Sequence, residues 1–516
     1  MRTGHAKKYI LAHDLGTSAL KSSLVDSSGQ IVSSCTEAYP TSQRFVGWAE
    51  QDPVDWWSAF CHNCRALTED IPADAVAGVI LTGQMMCCLP ISADGEALAS
   101  AMIWSDARAN HEWRNLEEAV GAEALYQTAG MRGSANYSLP KMMWFQKNHA
   151  SRYLETASFL SPKDYINYRL TGCFVTDSEN AAYMYCYDQE KGTWSSPVLE
   201  AAGISSDKLP EVVPSGTIFG TVSACIAEDC GLKAGTPVIM GIGDGGAATL
   251  GAGVVDVGDA YTSLGTSSWV CAVTDKAQKS PGFECGISSL AFFEKQRLSG
   301  TMQAGGYAFS WFSDTFFPEE IQSAKAAGSD FFAVLNDMAQ QSSPGANGCL
   351  FQPYLFGERS PLWDSRMRAA FLGMNARTTR GDLCRSVQEG VTMHLKWILD
   401  QICSCGEGRP IRSMRLIGGG AKSSLWQQIF ADVYGVPVLT VKNPGQAAAL
   451  GLAVIAGTTL GIFPDYSIIN EIQPTDKTIL PDPERQAFYA QLQKIYLHSV
   501  QCTQELNHRL AALSFT

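Results

Sequence analysis

The sequence lacks most of the short signatures by which phosphate-handling and hydrolytic enzymes are recognised. No Gly-Lys dipeptide occurs in its 516 residues, so a Walker A loop is absent. Neither H-E-x-x-H, G-x-S-x-G nor H-R-D occurs, which excludes zincin, α/β-hydrolase and protein-kinase chemistry. No apolar run approaches the ~18–20 residues of a membrane helix. Behind Met1–Lys8, the apolar piece Tyr9–Ala12 is too short for a secretory h-region, so a cytoplasmic protein is expected. Positive charge is also scarce. Against 51 Asp and Glu stand 38 Lys and Arg, a net charge of −13, which argues against a general nucleic-acid binder. With 46% hydrophobic residues, the chain has ample material for cores, which excludes global disorder.

Sixteen cysteines are present without a disulfide context, and reduced thiols buried as small hydrophobes are expected. Cys61 and Cys64 match C-x-x-C inside an expected helix. No second pair at zinc spacing accompanies them, so neither a metal nor a redox role is expected.

Glycine is plentiful, 47 in all, and it is clustered. The chain opens as strand, turn, strand, strand over its first 35 residues. Asp52-Pro53 then supplies an N-cap and a first-turn proline for a helix carrying Trp56, Trp57 and Phe60, read as core. Val76–Leu81 and Pro237–Met240 read as strands; Lys141–Phe145 and Tyr165–Leu170 read as helical. Tyr183, Tyr185 and Tyr187 alternate like one face of a strand. Leu-Gly-Thr-Ser occurs twice, at Leu15–Ser18 and Leu264–Ser267, each time between two strand-like runs. That setting points to an ancient duplication. The expected domains are residues 1–254 and 255–500, followed by a tail of residues 501–516, with the boundary near residues 252–258.

Four glycine-rich sites invite a chemical reading. Asp14-Leu15-Gly16-Thr17-Ser18 is either an ordinary hairpin or a phosphate cradle whose aspartate holds a hydrated Mg²⁺, and alone it does not decide. Its partner, Gly265-Thr266-Ser267, strengthens the nucleotide reading, because two such hairpins grip a triphosphate. Gly418-Gly419-Gly420 leads from a strand into a helix and lets a base or phosphate approach backbone. Gly241-Ile242-Gly243-Asp244-Gly245-Gly246 formally matches G-x-G-x-x-G, but an aspartate at its centre repels a pyrophosphate and no acidic strand end follows. An aspartate in an open glycine loop suits proton abstraction from a small substrate's hydroxyl.

In their order along the chain these motifs resemble the FGGY family of carbohydrate kinases, with the closest likeness to its xylulokinases. The likeness runs from about Tyr9 to Gly457. It includes Glu50-Gln51-Asp52-Pro53, Gly83-Gln84-Met85, Trp104-Ser105-Asp106-Ala107-Arg108, Pro140-Lys141, Pro162-Lys163-Asp164-Tyr165, Gly243-Asp244 and Pro353–Pro361. Ala369–Glu389 is similar to the family's second signature, with Gln388 where an apolar residue is usual. The resemblance implies an α/β fold of two RNase H-like domains, of the actin, sugar kinase and Hsp70 type, flanking a central cleft. It also implies ATP and Mg²⁺, a small sugar as substrate, no nucleic-acid or membrane partner, and a homodimer.

Residue by residue, the resemblance makes Asp244 the catalytic base. Asp14 becomes the Mg²⁺ position, acting through water, and Thr17, Ser18, Lys21, Gly265 and Thr266 the phosphate positions. Gly306, Ser310, Gly419, Gly420 and Ser424 fall on the purine side. Gln84, Met85, Met86, Trp104, Asp106 and Gly245 fall on the sugar side, with Arg108 nearby. Two positions depart from the xylulokinase pattern. Met86 stands where histidine is typical, and Gly245 where asparagine often follows the base, so the identity of the sugar is open among ketoses, polyols and aldonates. An ATP-gated switch without sugar chemistry is the rival reading.

Overall fold

The computed structural model describes residues 8–279, 285–290, 294–406 and 410–513; residues 1–7 and the last three residues of the expected tail lie outside them. The chain packs as two compact units. The first is Met1–Val255 with Gly286–Arg297 and Gln446–Pro474; the second is Asp256–Cys285, Leu298–Gly445 and Thr475–Thr516.

In the first unit, β1 (Tyr9–Leu15), β2 (Ala19–Asp26) and β3 (Ile31–Ala38) form an antiparallel meander, followed by α1 (Pro53–Thr68) and β4 (Val76–Gly83). Asp52 caps α1 by accepting the Val54 N–H, with Pro53 in the first turn, and the helix buries Trp56 and Phe60 against the sheet. Trp57 stacks on Phe60 in the same core. Next come α2 (Ser138–Asn148), α3 (Pro162–Thr171), α4 (Ser178–Tyr183), β5 (Ile218–Thr221), β6 (Pro237–Ile239) and α5 (Asp244–Gly251). The sheet order is β5-β6-β4-β1-β2-β3, with β4 parallel to both β1 and β6.

The second unit begins with β7 (Asp259–Leu264) and β8 (Ser268–Thr274), then β9 (Lys295–Met302), α6 (Gly306–Phe316), α7 (Phe331–Gln340) and α8 (Arg380–Cys405). After α8 follow β10 (Ser413–Ile417), α9 (Ser424–Tyr434), β11 (Val438–Val441), β12 (Thr475–Ile479) and α10 (Pro483–Ala512), which runs unbroken past residue 500. The sheet has seven strands: Gly286–Leu290 lies at the edge beside β9, and the order continues β9-β8-β7-β10-β11-β12. β7 and β8 are antiparallel, whereas β7, β10 and β11 are parallel. Both sheets therefore place a first strand between an antiparallel hairpin partner and a parallel neighbour. In each the hairpin loop is the three residues Gly-Thr-Ser, which is the α/β duplication the repeat predicted.

Two local expectations change. Residues Asp244–Gly251 are a helix, and Asp244 is its first residue rather than part of an open glycine loop. The tyrosines do not share a strand face: Tyr183 ends α4, Tyr185 has φ +71° and only Tyr187 lies in a strand. All sixteen cysteines are free thiols, Cys61 and Cys64 buried among them. Among the described residues no helix is long and apolar enough to cross a membrane.

Candidate active site

On the first unit, the β1–β2 hairpin fixes Asp14 opposite Lys21 and, through the parallel pairing, beside Thr82 of β4. Gly16 closes the loop by donating its N–H to the Ala19 carbonyl at 3.1 Å. Thr17 is held at both ends: the Gln51 amide donates to its carbonyl at 2.6 Å, and the Trp104 indole donates to its hydroxyl at 2.8 Å. Gln51 then accepts from Trp56 Nε1 at 3.0 Å and Gln84 Nε2 at 2.8 Å. One buried glutamine thus gathers Thr17, Gln84 and Trp56, with Trp104 joined through Thr17, while Ser18 and Lys21 face solvent on the same hairpin. Gln84 Oε1 is buried without a hydrogen-bond partner, an acceptor that an incoming hydroxyl satisfies.

Met85 is buried, and Met86 takes a left-handed φ of +61°. The carbonyl of Met86 accepts from Lys141 Nζ at 2.9 Å, and the same ammonium donates to the Ile103 and Asn136 carbonyls, each at 2.6 Å. Burial lowers the Lys141 pKa to about 8. Lys141 therefore ties the Gln84–Met86 turn to the loop that ends at Trp104, a role that its sequence position on α2 did not announce. Lys141→Met strands the buried Ile103 carbonyl and two part-buried carbonyls, at about 1–3 kcal/mol for each fully buried group. A loss of roughly 3 kcal/mol or more is expected in urea unfolding; an unchanged midpoint and slope contradicts this role for Lys141.

Asp106 is fully buried and its carboxylate is already engaged. The Arg108 guanidinium donates to both oxygens at 2.6–3.0 Å, and the Ala49 N–H donates at 2.7 Å. Arg108 also pairs with Glu50 at 2.7 Å and lies 3.5 Å over the Trp48 ring.

Asp244 opens α5 with its Oδ1 accepting the Gly245 N–H at 2.7 Å. Burial raises its pKa, while the Arg297 guanidinium and that N–H oppose the shift. Asp14 rises to about 6 through burial and then through the charge of Asp244, with Lys21 opposing. A carboxylate whose charge is disfavoured by burial and by a second carboxylate on the same unit marks a place for a proton or a cation. Glu179 and Arg297 form a buried ion pair beside them. No motif pointed to either, because one sits in the second position of a two-turn helix and the other in a strand 118 residues later.

The second unit carries a cavity of about 720 Å³. Its lining includes Gly265, Thr266, Gly306, Ser310, Gly419, Gly420 and Ser424, so the predicted nucleotide residues of this half converge. The Gly306 N–H donates to the Gly265 carbonyl at 2.7 Å. A Cβ at 306 would lie 2.5 Å from that carbonyl, so only glycine lets α6 begin there. Gly419 faces open space, whereas a Cβ at Gly420 would meet Leu264. The opposite wall is α7, which sequence reading did not place here. Its Asn336 Oδ1 accepts from Gln388 Nε2 at 2.7 Å and from Ser423 Oγ at 2.9 Å. The unusual Gln388 thus orients a pocket side chain. Elsewhere, His394 is core: buried, with Nε2 against the Ser360 carbonyl at 2.9 Å. The Glu358 carboxylate accepts the N–H groups of Gln303 and Arg359 at 2.7 and 2.8 Å.

Two family models match the chain: the N-terminal domain of the FGGY family of carbohydrate kinases over residues 9–251 and its C-terminal domain over residues 260–460. A xylulose kinase of Staphylococcus epidermidis is 30% identical over 512 residues, covering 98% of this chain and 99% of that one. Two crystal structures from Lactobacillus acidophilus, each 26% identical, cover 96% of this chain and 98% of their own. One is a gluconate kinase, superposing with a TM-score of 0.90, and the other a ligand-bound xylulose kinase, at 0.89.

Proposed function

The chain belongs to the FGGY family of carbohydrate kinases, and from that membership we propose that it transfers the γ-phosphoryl group of ATP to D-xylulose, giving D-xylulose 5-phosphate, with Asp244 as the base. The observation that carries the reading is Asp244 itself. It is a carboxylate at the first turn of a helix, on the unit that also holds the Asp14 hairpin and the unsatisfied Gln84 Oε1.

The chemistry follows from that placement. Asp244 Oδ1 is occupied by the Gly245 N–H, which leaves Oδ2 to accept the proton of the attacking hydroxyl. The sugar oxygen then forms its bond to Pγ as the bond to the bridging oxygen of ADP breaks. Such transfer depends on positioning and on neutralising charge more than on covalent help from the protein. Each Gly-Thr-Ser loop carries groups of the kind that hold phosphates, and the second unit's cavity has room and backbone suited to a purine. Gln84 and Trp104 lie where sugar hydroxyls are received, and Asp106, spent on Arg108, braces the loop that carries Trp104.

Among the described residues no cluster of three or more His, Cys, Asp or Glu is built to hold a metal alone. Asp14 still fits Mg²⁺, which keeps its waters and takes one or two carboxylates together with substrate phosphates. When bound, Mg²⁺ would shield phosphate charge.

A second reading, an aldonate in place of the ketose, is favoured by the gluconate kinase likeness. A coupled ADP-release assay across ketopentoses, ketohexoses, polyols and aldonates separates the two. D-xylulose giving the highest kcat/KM supports the proposal, and a clear preference for an aldonate replaces it.

A further inference from the structure

We propose that Glu179 and Arg297 are positioning residues that aim the Asp244 carboxylate, and that the glycines flanking Asp244 exist to seat this ion pair; the inference rests on Asp244 being the base.

The pair occupies the volume that side chains around Asp244 would fill. A Cβ at Gly245 would lie 1.8 Å from Arg297 Nη1. At Gly246 it would lie 2.4 Å from Glu179 Oε2, and at Gly243 2.9 Å from the same oxygen and 2.3 Å from Met85 Sδ. None of these three glycines has a positive φ, so what a side chain there would disturb is the packed ends of Arg297, Glu179 and Met85 rather than the backbone. In this chain an asparagine at 245 would push the Arg297 guanidinium out of its pair with Glu179.

The contacts run directly into the turn that carries the base. Glu179 Oε2 accepts the Gly246 N–H at 3.1 Å, and its Oε1 pairs with Arg297 Nη2. Arg297 Nε donates to Ser288 Oγ at 3.1 Å. Glu179 is itself fixed from behind. Asp177 caps α4 through the Glu179 and Asn180 N–H groups and pairs with buried Lys163 at 2.7 Å. The first turn of α5 is thus clamped on Gly245 by packing and on Gly246 by a charge-assisted hydrogen bond.

Burying two charges costs several kcal/mol of desolvation per ion, and well-packed apolar residues would serve stability as well or better. A buried pair at this place is therefore explained by the direction it gives its neighbour. The side chains are buried and engaged with each other, the Gly246 N–H and Ser288 Oγ, so their proposed action is through Asp244 rather than on the sugar.

The test is kinetic, on the full-length enzyme. Glu179→Gln with Arg297→Met removes both charges and leaves neither orphaned. It is expected to unfold near the parent temperature and to bind ATP as the parent does. Its kcat should fall about 100-fold, the scale of a 1 Å misplacement, while the sugar KM changes little. Arg297→Lys keeps the ion pair without the fork and should retain more kcat than the double variant but less than the parent. A double variant with kcat near the parent's overturns the proposal, as does a loss lying wholly in KM. Should the double variant not fold, Arg297→Lys decides alone, and parental kcat there overturns it. Failure of the kinase reading would show earlier, as a parent enzyme that turns over no sugar.

Discussion

Asp244→Asn is expected to bind sugar and ATP as the parent does while losing about 10²–10⁴-fold in kcat, the usual contribution of a positioned general base. The asparagine Oδ1 still accepts the Gly245 N–H, so the first turn of α5 keeps its hydrogen bond. The amide cannot take a proton, and the attacking hydroxyl then loses its proton to water or to phosphate. Arg297, which opposed the rise in the Asp244 pKa, has no carboxylate left to favour at that place. On the proposed reading the purine sits in the second unit's cavity, which Asp244 does not line, so ATP affinity should not change. Measurement of kcat, of both KM values and of thermal unfolding together checks this. Near-parental kcat in a folded variant removes Asp244 as the base.

The second large effect concerns the fold that carries the base. Helix α5 and the Ala447–Thr459 helix of the same unit approach through glycines on both sides. A Cβ at Gly251 would lie 1.6 Å from the Ala447 carbonyl oxygen, and one at Gly451 would lie 2.1 Å from the Ala247 carbonyl oxygen. No rotamer relieves a clash between a Cβ and backbone, so the helices must part. Gly251→Ala is expected to cost on the order of 3 kcal/mol, the upper part of the overpacking range, and to lower activity with it because α5 moves. Gly445→Ala is the control: its Cβ meets nothing within 4 Å and its φ is not positive. Its stability should stay within about 0.5 kcal/mol of the parent. Equal urea midpoints for the two variants would contradict the close approach.

Glycine also explains where the sequence could and could not be read. The hairpin at Gly16 and its repeat at Gly265 were legible because Gly-Thr-Ser is framed by strands on both sides and the frame recurs. Gly243–Gly246 read as an open loop for the same reason that glycine usually does: it is a poor helix former. The helix forms nonetheless, because its small residues let the Ala447–Thr459 helix and the Glu179–Arg297 pair come close, which is a tertiary contact no local window contains. Glu179 and Arg297 lie 118 positions apart without periodicity or motif. Lys141 was visible only within a family pattern, and its three carbonyl partners come from three different loops. The tyrosines at 183, 185 and 187 had the spacing of a strand, yet the positive φ at Tyr185 breaks any such run. In the second unit Gly418-Gly419-Gly420 stood out by their strand-to-helix setting and Gly265 by the repeat, whereas Gly306 was marked only by the family resemblance. The α7 wall was missed because its apolar Phe331 and Phe332 are indistinguishable in sequence from core.

The central claim is phosphoryl transfer to a sugar, and ³¹P NMR of the enzyme with ATP and D-xylulose tests it most directly. The account predicts a new phosphomonoester resonance on the sugar, one for each ADP formed, with little inorganic phosphate, and its absence with Asp244→Asn. Inorganic phosphate as the product, or ATP left unconsumed with D-xylulose and with every other sugar of the panel, would contradict it.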